Sequence, residues 1–301
     1  MATHSSSRYE GFLKEYLATL KSQEESMVQI NGNSPQLRIR KYIVDWLCNA
    51  CELLKLDQCT VHLALYILDV FMDGHNIECP QQSLVTLGCI WVAAKFEEKE
   101  TRVPRATDLN KLVMDRFSIG SFVAVEAMIL RHLRWNLSVP TSAIFSNFFA
   151  LAALPHDPGD HSTYRRLSER FNYYLSYFLQ ESLKEFVLST IRPSKTASAC
   201  IAASRRSMGL FPIWTEPLAQ LTGYSLSEVL PLVDLYFCGN SSLVIANASL
   251  SSCDNETPDS GVASDIEVSN TDSVDSDRSF GITPKRKQVS YNSDTTKRRK
   301  N

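Results

Sequence analysis

Features that mark enzymes, membrane spans or nucleic-acid binders are scarce in this chain. Its 11 glycines in 301 residues never form the Gly-x-x-x-x-Gly-Lys loop that cradles phosphates. There is no Gly-x-Ser-x-Gly nucleophile elbow, and the six histidines are dispersed, with no His-Glu-x-x-His pair. His62 and His132 therefore read as helix-surface or core side chains. No apolar run approaches the roughly 18 residues that suggest a membrane span. The opening "MATHSSSRYEGFLKEYLATL" lacks the basic and then apolar order of a secretory leader. Neither sign of charge dominates: 31 Lys and Arg face 33 Asp and Glu, a net of −2. Bulk electrostatics thus give no pull toward nucleic acid or acidic membranes. Together these absences predict an intracellular chain that is not an enzyme and uses no cofactor and no metal.

Cysteine is present, with eight residues, but without framework. Cys48 and Cys51 form a Cys-x-x-Cys inside a helical pattern, and no second pair follows at zinc-finger spacing, so packed, reduced thiols are expected. Strand alternation is missing too. Apolar residues recur instead with helical period in two long regions separated by "LSVPTS" at 137–142. The first holds five helical segments: "SPQLRIRKYIVDWLCNACELL", "CTVHLALYILDVFMD", "PQQSLVTLGCIWVAAKFEE", "RATDLNKLVMDRF" and "GSFVAVEAMILRHLRWN". Ser34 and Pro35 open the first of these as N-cap and first-turn proline. The second region repeats the plan from "AIFSNFFALAAL" to "SLSEVLPLVDLYF", with a break expected near Gln180–Leu183 and a capping box at Ser225 and Glu228. From Gly239 the composition turns to Ser, Asp, Asn and Thr, and disorder is expected. The predicted architecture is all-α. An N-terminal extension (1–33) carries one helix, expected on the first bundle; two five-helix bundles (34–138 and 139–238) follow, then a disordered tail (239–301).

The helix after Pro35 carries two apolar stripes. Val44, Leu47, Cys51 and Leu54 continue the line of Arg40; Ile39, Tyr42, Ile43, Trp46 and Ala50 lie beside them. An arginine at the end of a core stripe needs a partner, since an unpaired buried charge costs several kcal/mol. Asp69, inside "LALYILDVF", is the candidate.

The segments "RKYIVDWL", "LALYILDVFMD", "AAKFEEKE" and "VEAMILRHLRWNLSVPTS", in this order, resemble the N-terminal box of the cyclin family. "PSKTASACIAASRR" and "LTGYSLSEVLPLVDLYF" extend the resemblance to the C-terminal box, over about residues 34–237; "SPQLRIRKY", "LDVFMD" and "KFEEKE" look most similar to the J type within that family. The resemblance implies a regulatory subunit that binds and activates a cyclin-dependent kinase in cell-cycle control. It places kinase contacts at Lys95 and Glu126, with Phe96 and Trp135 adding apolar surface. It also implies a docking patch for Arg-x-Leu substrates or inhibitors at Ile39, Tyr42, Ile43 and Trp46, and assigns Arg40 and Asp69 to a structural ion pair. The patch departs from the usual Met-Arg-Ala-Ile-Leu, with Ile39 for methionine, Lys41 for alanine and Tyr42 for isoleucine. A cyclin-fold scaffold or transcription-associated protein that activates no kinase is the competing reading. It would favour basic residues on the bundles, whereas here they cluster at the chain end.

Motifs in the tail suggest regulation. "DSGVAS", with Asp259, Ser260, Gly261 and Ser264, has the form of a phosphodegron; phosphates on both serines would add about three to four negative charges for a ubiquitin ligase to read. Thr257 and Thr283 each precede proline, as proline-directed kinases require. Lys285, Arg286 and Lys287, with Lys297, Arg298, Arg299 and Lys300, form two basic clusters that suit a nuclear import receptor. Nuclear, and also cytoplasmic, residence is the expectation; no membrane and no specific nucleic acid is expected as a partner.

Overall fold

The computed structural model describes residues 2–32, 34–155, 161–238 and 282–284. Thr257, the degron residues Asp259–Ser264 and both basic clusters lie outside them. Helix α1 spans Ala2–Glu25. A 3-10 turn, Pro35–Ile39, leads into α2 (Arg40–Leu53), followed by α3 (Gln58–Gly74), α4 (Cys79–Glu97), α5 (Ala106–Lys111) and α6 (Ile119–His132). The second series is α7 (Ser142–Phe149), α8 (His161–Lys184), α9 (Phe186–Ser189), α10 (Pro193–Ser207), α11 (Glu216–Thr222) and α12 (Leu226–Cys238).

Local chemistry sets these limits. Ser34 accepts a hydrogen bond from Gln36 N, Asp57 from Cys59 N, Ser118 from Ser121 N and Thr141 from Ile144 N, so four helices open on side-chain caps. Gly223 closes α11 at φ 76°, a left-handed turn that suits a residue without Cβ. At Ser225 only half of the expected capping box forms: the Glu228 carboxylate accepts from both the backbone N–H and the hydroxyl of Ser225.

Each bundle wraps one central helix. In the first it is α4, buried on all sides from Leu84 to Ile90 and packed by Leu63, Ile67, Phe71, Phe122 and Ile129. In the second it is α10, whose Ala197 to Ala203 are buried against Phe145, Phe149, Phe171, Phe178 and Val233. Small side chains on α10 let aromatic residues approach its backbone closely.

Two expectations need correction. Helix α1 docks on the second bundle, not the first: Leu17 and Leu20 join the second core. Complementary charges at helix ends dictate this. Glu24 accepts hydrogen bonds from Ser194 N and Oγ at 2.6 and 2.8 Å at the start of α10, and Lys21 donates to the Thr222 carbonyl at 2.8 Å at the end of α11. Among the described residues of the extension, Met27 and Ile30, past the helix, reach the first core. Second, α8 is continuous through Gln180–Leu183 and ends at Lys184, where its last carbonyls accept from Arg40 Nη1. The all-α class holds; the one addition is a short ribbon in which β1 (His75–Ile77) pairs antiparallel with β2 (Ile282–Pro284), within the segment expected to be disordered.

Arg40 and Asp69 are each 3% exposed and form a two-pronged pair, Nε to Oδ1 at 3.1 Å and Nη2 to Oδ2 at 2.7 Å. Arg40 Nη1 also donates to the carbonyls of Leu183 (2.6 Å) and Lys184 (3.3 Å), ending α8. One guanidinium thereby joins α2 and α3 of the first bundle to α8 of the second. Burial raises the Asp69 carboxyl and the guanidinium opposes that rise. His62 lines the same junction with Asp69 and Thr196, and burial lowers its imidazole to about 3, so it is neutral.

Two predictions follow from this junction. Arg40→Met leaves the Asp69 carboxylate and two carbonyls unpaired and should cost about 3–5 kcal/mol in urea unfolding; Arg40→Met/Asp69→Leu should lose less than the sum of the single changes. Because the His62 pKa is depressed on folding, only the unfolded chain binds that proton below its ordinary value of 6.5. Stability should fall as pH drops from 6.5 toward 3, by up to about 1.4 kcal/mol per unit, and His62→Gln should flatten that slope.

Candidate functional site

The end of α4 and the adjoining face of α6 are set by a glycine. A Cβ on Gly88 would lie 2.7 Å from Val125 Cγ1 and 3.2 Å from Ile129 Cδ1, so only glycine permits this approach of the two helices. Two turns further along α4 the helix reaches solvent. There Lys95 Nζ donates to Glu126 Oε1 and Oε2 at 2.7 and 2.8 Å. The ammonium also sits 3.4 Å from the ring centroid of Trp91, one turn earlier. Trp91 is held in turn, its Nε1 donating to the Pro104 carbonyl at 3.0 Å and its ring edge-on to Phe122. A shallow groove runs beside the pair, lined by Trp91, Lys95, Val103, Pro104 and Arg105.

The remaining charges of "KFEEKE" have other tasks. Glu98, with a side chain only 2% exposed, accepts from Asp57 N and from Thr60 Oγ1 at the start of α3, and pairs with Arg102 at 3.5 Å. It is an anchor, whereas Lys95 is 38% and Glu126 19% exposed. Phe96 follows Lys95 and is half exposed. On α6, Ile119 and Val123 are exposed and lie on the same side as Glu126, at spacings of four and three residues. Sequence reasoning passed over these two and Gly88, although the spacing in "SIGSFVAVEAMIL" carries the signal. Trp135, 71% exposed at φ 62°, stands beyond the C-terminal end of α6. Helix geometry puts that end about 10 Å along the axis from Glu126.

The stripe on α2 divides. Ile39 and Tyr42 are exposed, Tyr42 at 74%; Trp46 is half-buried against the first core; Ile43, 6% exposed, belongs to that core. Thr283 lies in β2, opposite Asn76. Cys48 and Cys51 are buried in α2, where burial pushes the Cys48 thiol up to about 11, away from the thiolate that a metal or redox role needs. Among the described residues no group of three His, Cys, Asp or Glu is placed to hold a metal ion, and no helix is long and apolar enough to cross a membrane.

Comparison with known families gives the bundles an identity. Residues 12–138 match the cyclin N-terminal domain and residues 140–238 the cyclin C-terminal domain. The chain belongs to the cyclin family. Cyclin-J of Xenopus laevis is 34% identical over 226 residues, covering 72% of this chain and 59% of that protein. Cyclin-J of Homo sapiens is 33% identical over 216 residues, covering 68% and 55%. The chain therefore spans somewhat over half the length of these relatives. A B-type relative, cyclin-B1-3 of Oryza sativa subsp. japonica, is 28% identical across 64% of this chain and 38% of its own length. The X-ray structure of a viral cyclin from herpesvirus saimiri shares the fold, with a TM-score of 0.61 over 72% of this chain and 95% of that one at 17% identity. Cyclins are regulatory subunits of kinases and not enzymes themselves.

The Gly88 contact makes the face testable. Gly88→Val should push α6 away, cost about 1–3 kcal/mol in chemical denaturation and part Lys95 from Glu126. Loss of the Lys95 ammonium contact with Glu126 in the spectrum or crystal of the folded variant is the expected sign; an unchanged pair would refute this role for Gly88.

Proposed function

We propose that this cyclin binds and activates a cyclin-dependent kinase through the α4–α6 face, and docks substrates on α2, in cell-cycle control. The observation that carries the reading is the paired Lys95 and Glu126, flanked by exposed Phe96, Ile119 and Val123. Helix ends leave backbone N–H and C=O groups without partners, and an ammonium beside a carboxylate offers a donor and an acceptor for them. The apolar residues supply burial around those polar contacts. A partly exposed ion pair is worth about 0–1 kcal/mol, so Lys95 and Glu126 exchange each other for an incoming helix at little cost. Binding energy spent in this way repositions the kinase's regulatory helix and favours the state in which its catalytic Lys–Glu pair is closed. The chemistry belongs to the kinase.

On α2 the exposed Ile39 and Tyr42, beside half-buried Trp46, offer a surface for Arg-x-Leu segments of substrates or inhibitors. Ile43 supports that surface from the core. The basic clusters at 285–287 and 297–300 serve nuclear import in this reading, and the Ser260/Ser264 motif serves capture by a ubiquitin ligase.

The decisive experiment is a pull-down from cell extract with wild type and with Lys95→Ala/Glu126→Ala, followed by a kinase assay on the bound fraction. Kinase activity should accompany the wild type and fall at least about tenfold with the double variant, whose helical circular dichroism and unfolding midpoint stay near wild type. Full activity with the folded double variant would sink the proposal. Wild type that captures no kinase would favour the scaffold reading.

A further inference from the structure

The chain returns to the first bundle after residue 281. Ile282, Thr283 and Pro284 pair with Ile77, Asn76 and His75 as an antiparallel strand. The receiving edge is fixed from behind. His75 stacks on Phe71 with ring centroids 4.2 Å apart and meets His132 edge-on at 4.7 Å. Ile77 is 4% exposed, and its carbonyl accepts from Gln36 Nε2 at 2.9 Å. Gly74, just before, lies so close to the His132 ring that a Cβ there would clash at 2.5 Å from Cε1. Asn76, by contrast, is exposed. A rigid three-residue edge thus faces outward, and Ile282 packs against the first core as the strand's apolar anchor. Pro284 has no N–H to donate, so the ladder ends there.

We propose that β1 is a docking edge for the chain's own Ile-Thr-Pro segment, a clasp that keeps the Thr283 backbone paired while closed and that phosphorylation of Thr283 holds open. Proline-directed kinases take the Thr-Pro unit with its backbone free, and backbone laddered to Asn76 cannot enter a kinase cleft at the same time. Phosphorylation therefore proceeds only from the open form: the γ-phosphoryl group of ATP passes to Thr283 Oγ1, the hydroxyl proton is released and ADP leaves. Two features make the modified segment a poor ligand for β1. Asp73 and Glu78 bracket the strand, and no Lys or Arg occurs in the sequence between Asp69 and Lys95. A phosphate of about −1.5 to −2 charge would join a segment that pairs opposite Asn76, three residues after Asp73, whose Oδ2 accepts from Asn31, and two before Glu78. A two-stranded ribbon of this length is also marginal by itself, so a local charge is sufficient to shift it.

Thr257, also followed by proline but outside the ribbon, supplies an internal reference. Full-length protein is incubated with ATP and a purified proline-directed kinase, and phosphate at each threonine is followed by mass spectrometry. Asn76→Pro, which leaves the Thr283 sequence intact, should raise the Thr283 rate relative to Thr257 by about tenfold, as for a segment open about a tenth of the time in the wild type. An unchanged ratio in the folded variant would overturn the clasp. Hydrogen exchange keeps the idea testable should that variant misfold: stoichiometric phosphorylation of Thr283, or Ile282→Asp, should speed exchange at His75–Ile77 by a similar factor. Equal protection before and after phosphorylation would show that phosphate does not open the ribbon.

Discussion

One buried guanidinium aligns the two cyclin boxes. Arg40 spends two nitrogens on Asp69 and a third on the carbonyls that end α8, so α2, α3 and α8 meet at a point with only one good hydrogen-bonding solution. Removing two charges from water is costly, and replacing such a pair by apolar side chains is often neutral or stabilising. Its value here lies in alignment: an apolar contact between boxes would tolerate sliding, whereas a forked donor with fixed acceptors does not. The outer face of α2 inherits that precision, because Ile39 and Tyr42 flank Arg40 on the same short stretch of chain.

Helix α4 applies the same logic to the surface proposed to meet the kinase. It is enclosed by α3 and α6 for most of its length and emerges only at its C-terminal end, so its charges are all displaced to that end. Several of the charges there have defined partners. Glu98 turns inward to the start of α3, Arg102 reaches both Glu98 and the Lys55 carbonyl, and Lys95 stays on the surface facing Glu126. The close α4–α6 approach at Gly88 makes the last of these possible.

Much of the frame was legible in the sequence because it follows from period and caps. Both helix series, the Ser34–Pro35 start and the Arg40–Asp69 pairing could be read from apolar spacing and the need to neutralise a core arginine. The docking of α1 could not: its apolar face fits either bundle, and Lys21 and Glu24 choose the second only because Thr222 and Ser194 end and begin helices there. Sequence spacing puts Ile43 in one stripe with Tyr42, but successive helical residues point about 100° apart, which on α2 separates core from solvent. β2 escaped notice since three residues carry no periodicity, and its partner strand is some two hundred residues earlier.

The interactions fall into two energetic classes, and the division maps onto the proposed functions. Buried charges with several partners, at Arg40, Glu24 and Glu98, leave unpaired charge behind when broken and are suited to holding the frame. The Lys95–Glu126 pair and the β1–β2 ribbon are partly exposed, short and backed by rigid elements. Such contacts open at little cost, while the groups behind them are packed into the first bundle. A regulatory subunit needs this combination: a surface that accepts a kinase helix must release its own internal partners readily, and a tail that reports its phosphorylation state must bind weakly enough for one phosphate to decide. A stronger ribbon would hide Thr283 permanently, and a weaker one would leave the edge of β1 open to strands from other chains.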